Sequence, residues 1–150
     1  MTIAVACDHG GFPIKDRIMR TIREAGHEVL DLGTDSCAPT DYPIYARAAA
    51  LAVKDGRAQR AIMICGSGAG ACVAANKFKG IRAATCHDSY SAHQCVEHDD
   101  VNVLCLGGRV VGEEVAAELA RIYCGAQFTG EERHRRRLAE VLAFEEDFGR

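Results

Sequence analysis

Cys65 stands immediately before Gly66-Ser67-Gly68-Ala69-Gly70. Alternating glycines after an apolar run mark a tight turn from a strand into a helix. Such a turn aims backbone N–H groups at one point, and the helix dipole adds partial positive charge there. The guest that fits is an anion, either a phosphate or an oxyanion that develops during a reaction. The spacing is G-x-G-x-G, with no acidic residue placed for a ribose, so the dinucleotide fingerprint is not met. A plain strand–helix connection uses the same glycines. Cys65 lies beside a helix N-terminus, a setting that favours thiolate, and a thiolate acts as nucleophile or base. The alternative is a small buried strand-end residue. Ser67 offers its hydroxyl either to a reacting oxygen or to the turn itself.

Histidines, carboxylates and arginines supply the other candidates. Asp8-His9 follows the first apolar run, and His98-Asp99-Asp100 precedes the fifth. Histidine is the usual group for proton transfer near neutral pH. Of the six histidines, His9 and His98 stand out because each reads as lying at a strand end beside a carboxylate. His27 and His93 read as residues without a catalytic role. The run Arg133-His134-Arg135-Arg136-Arg137 places Arg133 and Arg137 on one helix face, with Arg135 pointing elsewhere. Two guanidinium groups on one face suit a phosphate, which they bind bidentately. A solvated face balanced by Glu131, Glu132, Glu140 and Glu145 is the other reading. Cys7, His9, Cys65 and Cys86 lack the spacing signature of a zinc site, so no metal is expected.

The elements that must position these residues alternate along the chain. Apolar runs at Ile3–Cys7, Val29–Leu32, Ala61–Cys65, Ile81–Thr85 and Asn102–Leu106 read as strands. The third is continuously apolar, as a central parallel strand covered on both faces should be. Helices are predicted from Pro13 to Ala25, from Pro43 to before Gly56, over Ala71–Lys77 and Ser89–Glu97, and around Val115, Leu119 and Ile122. In the first of these, Ile14, Ile18 and Ile22 recur at spacing four. A last helix runs from about Glu131 to Phe148 and falls outside the repeat, so it is free to pack on a second subunit. The alternation implies an α/β fold, a Rossmann-like three-layer sandwich with a five-stranded parallel sheet, helices on both faces and an extra C-terminal helix. Right-handed crossovers gather the strand C-termini on one edge, where ligands bind.

Composition narrows the classes. A chain of 150 residues with 48% hydrophobic and 26% charged residues is expected to form one globular domain over 1–150. A net charge of −3 argues against a broadly basic nucleic-acid binder. No apolar run has the length of a membrane span. The N-terminus lacks the basic start of a signal peptide, so a cytoplasmic protein is expected. Eight cysteines without a C-x-x-C then read mostly as small buried hydrophobes. A thiol redox protein would need a partner for Cys65, and Cys72 lies about two helical turns on, a poor geometry for pairing.

The ordered set Cys7-Asp8-His9, Gly33-Thr34, Thr40-Asp41-Tyr42-Pro43, Cys65-Gly66-Ser67-Gly68, Ala74-Ala75-Asn76-Lys77, Gly80-Ile81-Arg82-Ala83, Asn102-Val103-Leu104 and Gly108-Arg109-Val110-Val111-Gly112 resembles the type B ribose-5-phosphate isomerase family, nearly end to end. That family also includes galactose-6-phosphate isomerase subunits. The resemblance implies a Rossmann-like homodimer or dimer of dimers with active sites shared between subunits, and neither metal nor organic cofactor. It implies a sugar phosphate as partner, most simply ribose 5-phosphate converted to ribulose 5-phosphate. By resemblance, Cys65 is the base that moves a proton between C1 and C2 through an enediolate. Ser67 assists transfer between oxygens, and His98, reaching in from the other subunit, opens the furanose ring. Backbone groups of Gly66, Gly68, Ala69 and Gly70 hold the enediolate oxygen. Asp8 and His9 take part in binding and ring opening, Tyr42 forms a wall of the sugar site with Asp99 beside the substrate, and Arg109, Arg133 and Arg137 bind phosphate, with His9 as a fourth ligand.

Two residues depart from the pattern: Ser67 where many relatives have Thr, and Asp99 where many have Asn. An ionised Asp accepts but cannot donate hydrogen bonds, which bears on the choice of sugar. A tetrose or hexose phosphate isomerase, for example of galactose 6-phosphate or allose 6-phosphate, is the alternative within the class. A non-catalytic phosphate or nucleotide module is the alternative outside it, and would leave Cys65 and His98 without roles.

Overall fold

The computed structural model describes residues 1–147. Strands β1 (Thr2–Cys7), β2 (Glu28–Asp31), β3 (Arg60–Cys65), β4 (Ala83–Thr85) and β5 (Val103–Gly107) alternate with helices α1 (Phe12–Glu24), α2 (Tyr42–Lys54), α3 (Ala69–Ala75), α4 (Ser89–Asp99) and α5 (Glu113–Gly125), and α6 (Glu132–Asp147) follows. Every strand pair is parallel, in the order β2-β1-β3-β5-β4. This is the α/β sandwich read from the sequence. Cys7 pairs with Ile64 and Cys65 with Gly107, so the three central strands end level on one edge.

Strand parity decides what covers each face. Ile3, Val5, Ile62, Ile64, Leu104 and Leu106 point to one side, where α1, α4 and α5 bring Ile14, Ile18, Ile22, Val96, Leu119 and Tyr123. Ala4, Ala6, Ala61, Met63, Cys65 and Cys105 point to the other, against Ala46, Ala49, Ala50, Ala71 and Ala75 of α2 and α3. Small side chains on both partners let α2 and α3 lie close to the sheet. Cys65 belongs to this alanine-lined face.

Three loops at the strand ends are joined by their backbones. The Asp8 N–H donates to the Ile64 carbonyl at 3.2 Å, the Gly108 N–H to the Cys65 carbonyl at 2.8 Å, and the Arg109 N–H to the Gly66 carbonyl at 3.0 Å. A Cβ at Gly108 would collide with the Gly10 carbonyl oxygen. Gly108→Ala should therefore force the loops after β1 and β5 apart and lower stability by about 1–3 kcal/mol. Urea unfolding of the variant measures this; an unchanged midpoint would show that the loops yield freely.

Some boundaries differ from the sequence reading, for local reasons. β4 begins at Ala83 rather than Ile81, because the two N–H groups before it are turned to other partners, that of Ile81 to the Phe78 carbonyl at 3.0 Å. Ile81 is buried, Asn102 Oδ1 accepts the Arg82 N–H at 2.9 Å, and the Arg82 guanidinium donates to Asp100 at 2.7 Å. α4 continues past Glu97 through His98 and Asp99 and ends on Asp100, which takes the left-handed conformation with φ 49°. Asp tolerates that region better than most residues. His98 is thus a last-turn helix residue and not a strand-end residue. Phe148, read as the end of the last helix, lies outside the described residues. No helix among the described residues is long and apolar enough to cross a membrane.

Candidate active site

The turn after β3 fixes Cys65. Gly68 takes φ +81°, a conformation that glycine adopts without strain, and this opens the turn so that its N–H donates to Cys65 Sγ at 3.1 Å. Cys65 is 4% exposed and sits in a cleft of about 360 Å³ lined by Asp8, Tyr42, Gly66, Ser67, Gly70, Arg109 and Val110. That volume suits a small metabolite. Ser67 is exposed, and its Oγ accepts the Ala69 N–H at a long 3.3 Å, a weak turn bond that a ligand can replace.

Each neighbouring loop contributes one wall. Asp8 is buried, and its Oδ1 accepts the N–H groups of Gly10 at 2.8 Å and Gly11 at 3.2 Å, holding the turn into α1. His9 Nδ1 accepts the Thr40 N–H at 3.1 Å, which ties the loop before α2 to the site. Tyr42 opens α2 and lays its ring over Gly70, where a Cβ would come within 2.8 Å of it. The Arg109 guanidinium lies over Gly66. Asp8, His9, Tyr42, the glycine turn with Ala69, and Arg109 therefore gather as the sequence suggested.

His98, Asp99, Arg133 and Arg137 do not join them within one chain. β4 and β5 are parallel neighbours, so α4 runs back against the strands and its last turn stands at the opposite sheet edge. There Asp99 and Arg137 line a second, larger hollow of about 600 Å³ with Phe78, Leu138, Val141 and Phe144. Arg133 is exposed and pairs with Glu131 at 2.9 Å, an ion pair that solvent weakens and that a phosphate can displace. Arg136 pairs with Glu132 at 3.2 Å, so the solvated-face reading holds for that part of the basic run.

Two histidines outside the candidate set shape the site's surroundings. His87 Nε2 accepts the Gly107 N–H at 2.9 Å and so steadies the loop carrying Arg109. His134, hidden in the basic run, is 2% exposed and stacks on His98 with ring centroids 4.1 Å apart and planes 25° from parallel. Burial, with the charges of His98 and Arg133 beside it, holds its pKa below the ordinary histidine value. The sequence signal for His134 was its place four residues before Leu138 and eight before Leu142, the less exposed positions of α6. His93 pairs with Glu97 at 2.8 Å along α4, outside the cleft.

All eight cysteines are free thiols, and Cys7, Cys65, Cys86 and Cys105 are buried, as the apolar runs implied. Burial raises the Cys7 thiol to about 11, which makes it inert as a nucleophile.

A family model described as Ribose/Galactose Isomerase matches residues 3–141. The ribose-5-phosphate isomerase B of Escherichia coli (strain K12) is 47% identical over 144 residues, 96% of this chain and 96% of that protein. The D-erythrulose-4-phosphate isomerase of Pectobacterium atrosepticum is 39% identical over 87% of this chain and 86% of its own length. The solved structure of Trypanosoma brucei type B ribose 5-phosphate isomerase superposes with a TM-score of 0.93 at 43% identity, covering 96% of this chain and 98% of that one.

Proposed function

The chain belongs to the ribose/galactose isomerase family, and on that premise we propose that it interconverts ribose 5-phosphate and ribulose 5-phosphate in the cytoplasm, with Cys65 as the base. The observation that carries this reading is a buried thiol at the floor of a cleft whose walls supply N–H donors, a hydroxyl, a carboxylate and a guanidinium. Abstracting the proton from C2 of the open aldose places negative charge on the C1 oxygen. Preorganised donors stabilise such an oxyanion by about 3 kcal/mol each. The Gly68 N–H is given to Cys65, so the first-turn N–H groups of Ala69 and Gly70 and the backbone of Gly66 are assigned to the oxygens. Ser67 passes the proton between O1 and O2, and Cys65 returns its proton to C1.

The remaining groups come from a second copy of the chain. His98 of the partner subunit opens the furanose ring, and Arg133 and Arg137 of the partner subunit bind the phosphate with Arg109 and His9. The separation of the two residue sets on opposite sheet edges supports this arrangement, since a monomer cannot bring them together. Phosphate binding away from the reacting carbons supplies energy for positioning them. Asp8 and Tyr42 hold the sugar hydroxyls, and Asp99 of the partner subunit accepts from one of them.

Assays of ribose 5-phosphate, erythrose 4-phosphate, allose 6-phosphate and galactose 6-phosphate test the reading. The highest kcat/KM is expected for the pentose. A preference for a tetrose keeps the mechanism and moves the substrate, the alternative favoured by the erythrulose-phosphate relative. Turnover of none of the four would return the glycine turn to a binding site.

A further inference from the structure

The imidazole of His98 is held on two sides by residues of its own chain. Along α4, the Gln94 side-chain amide nitrogen lies 2.8 Å from His98 Nδ1. In this orientation the amide donates, Nδ1 accepts, and the exchangeable proton of the neutral ring sits on Nε2. Against the face of the ring lies His134 of α6, stacked at 4.1 Å and itself pinned by Thr129, whose Oγ1 is 2.6 Å from His134 Nδ1. His134 is buried at 2% exposure, while the arginines around it on α6 are exposed. A histidine is seldom buried on a helix that is otherwise charged and solvated unless something packs on it. Here the ring that packs on it is His98.

We propose that His134 is a positioning residue: an uncharged plate that fixes the plane of His98, so that His98 Nε2 meets the ring oxygen of the cyclic sugar. This rests on the proposed isomerase reading, in which His98 opens the furanose. The environment keeps the plate uncharged. His98 faces His134 from α4, Arg133 and Arg137 flank it on its own helix, and Glu131, before that helix, opposes them. Nε2 gives its proton to the ring oxygen as the C1–O bond breaks and takes back the proton released from the C1 hydroxyl, so His98 ends as it began, and a neutral His134 puts no imidazolium in contact with it. Thr129 accounts for the remaining orientation, and its own N–H donates to the Glu97 carbonyl at 3.0 Å, tying the loop before α6 to the last turns of α4. Gln94, Thr129 and His134 thus form one support, reached from two elements, for one ring.

The chemistry of the two reaction directions separates this role from a merely structural one. Ribose 5-phosphate is predominantly cyclic and must be opened before C2 can be deprotonated. Ribulose 5-phosphate carries its phosphate on O5, has no furanose form, and needs no opening. In His134→Ala, kcat from ribose 5-phosphate should fall about 10- to 100-fold, the cost of a misplaced catalytic group. The initial rate from ribulose 5-phosphate should change little, which also shows that the protein is folded and Cys65 competent. His134→Phe, which keeps a flat uncharged ring without the nitrogens, should recover most of the lost rate from the aldose. Equal losses in both directions, no loss from the aldose, or a phenylalanine as poor as alanine would each overturn the proposal. A wild-type protein inert toward both pentose phosphates would instead overturn the reading on which it rests.

Discussion

Cys65→Ala should lose about 10²- to 10⁴-fold in kcat for ribose 5-phosphate, the range expected when a positioned acid–base group is removed. The loss should be in kcat more than in KM, because the arginines and the walls of the cleft remain. It should also come without unfolding. Cys65 lies on the sheet face already packed with alanine, so Ala is native in shape there. The interaction lost is the hydrogen bond from the Gly68 N–H at 3.1 Å, a contribution of about 1 kcal/mol. Cys65→Ser should be equally inactive, since a hydroxyl in the same place can accept that N–H but is no base near neutral pH. Coupled detection of the ketose gives the rates, and thermal unfolding gives the check on folding. Full activity in Cys65→Ala would reduce the cleft to a phosphate-binding module.

The second large effect concerns assembly. Cys65→Ala and His98→Ala are each expected to be nearly inactive in the cyclic pentose reaction. Mixed after subunit exchange in equal amounts, they should regain about a quarter of wild-type activity if two-fold dimers form at random, because half of the dimers then hold one intact site of two. Cys65 ends β3 at one sheet edge, and His98 closes α4 at the other. If instead the two residues met within a chain, each variant would inactivate its own sites and mixing would restore nothing. Absence of recovery despite verified exchange would therefore reject the shared site.

The sequence carried the strands and the cleft well, for a physical reason. A parallel strand covered on both faces must be apolar throughout, so Ala61–Cys65 is legible without any partner. The residues that follow each strand fall on one edge by topology alone, which is why Asp8, the glycine turn and Arg109 are found together. What the chain did not announce depends on tertiary packing. Ile81 and Arg82 have strand-like character, but Phe78 and Asn102 take their N–H groups, so β4 is shorter. His98 read as a strand-end residue because nothing local shows that Asp100 will turn left-handed and extend α4. His134 was masked by the arginines around it. Burial of one residue in a charged run follows from which face α6 turns to α4, and that is a property of the fold.

In the proposed reaction Cys65 moves the proton between C1 and C2. Its most direct measurement follows the two C1 protons of ribulose 5-phosphate by proton NMR in deuterium oxide, with wild type and with Cys65→Ala. Wild type should replace one of the two with deuterium, while Cys65→Ala should leave both in place even at concentrations that saturate it with the sugar phosphate. Exchange by Cys65→Ala at a rate comparable to wild type would contradict it, and the base would have to be sought elsewhere in the cleft.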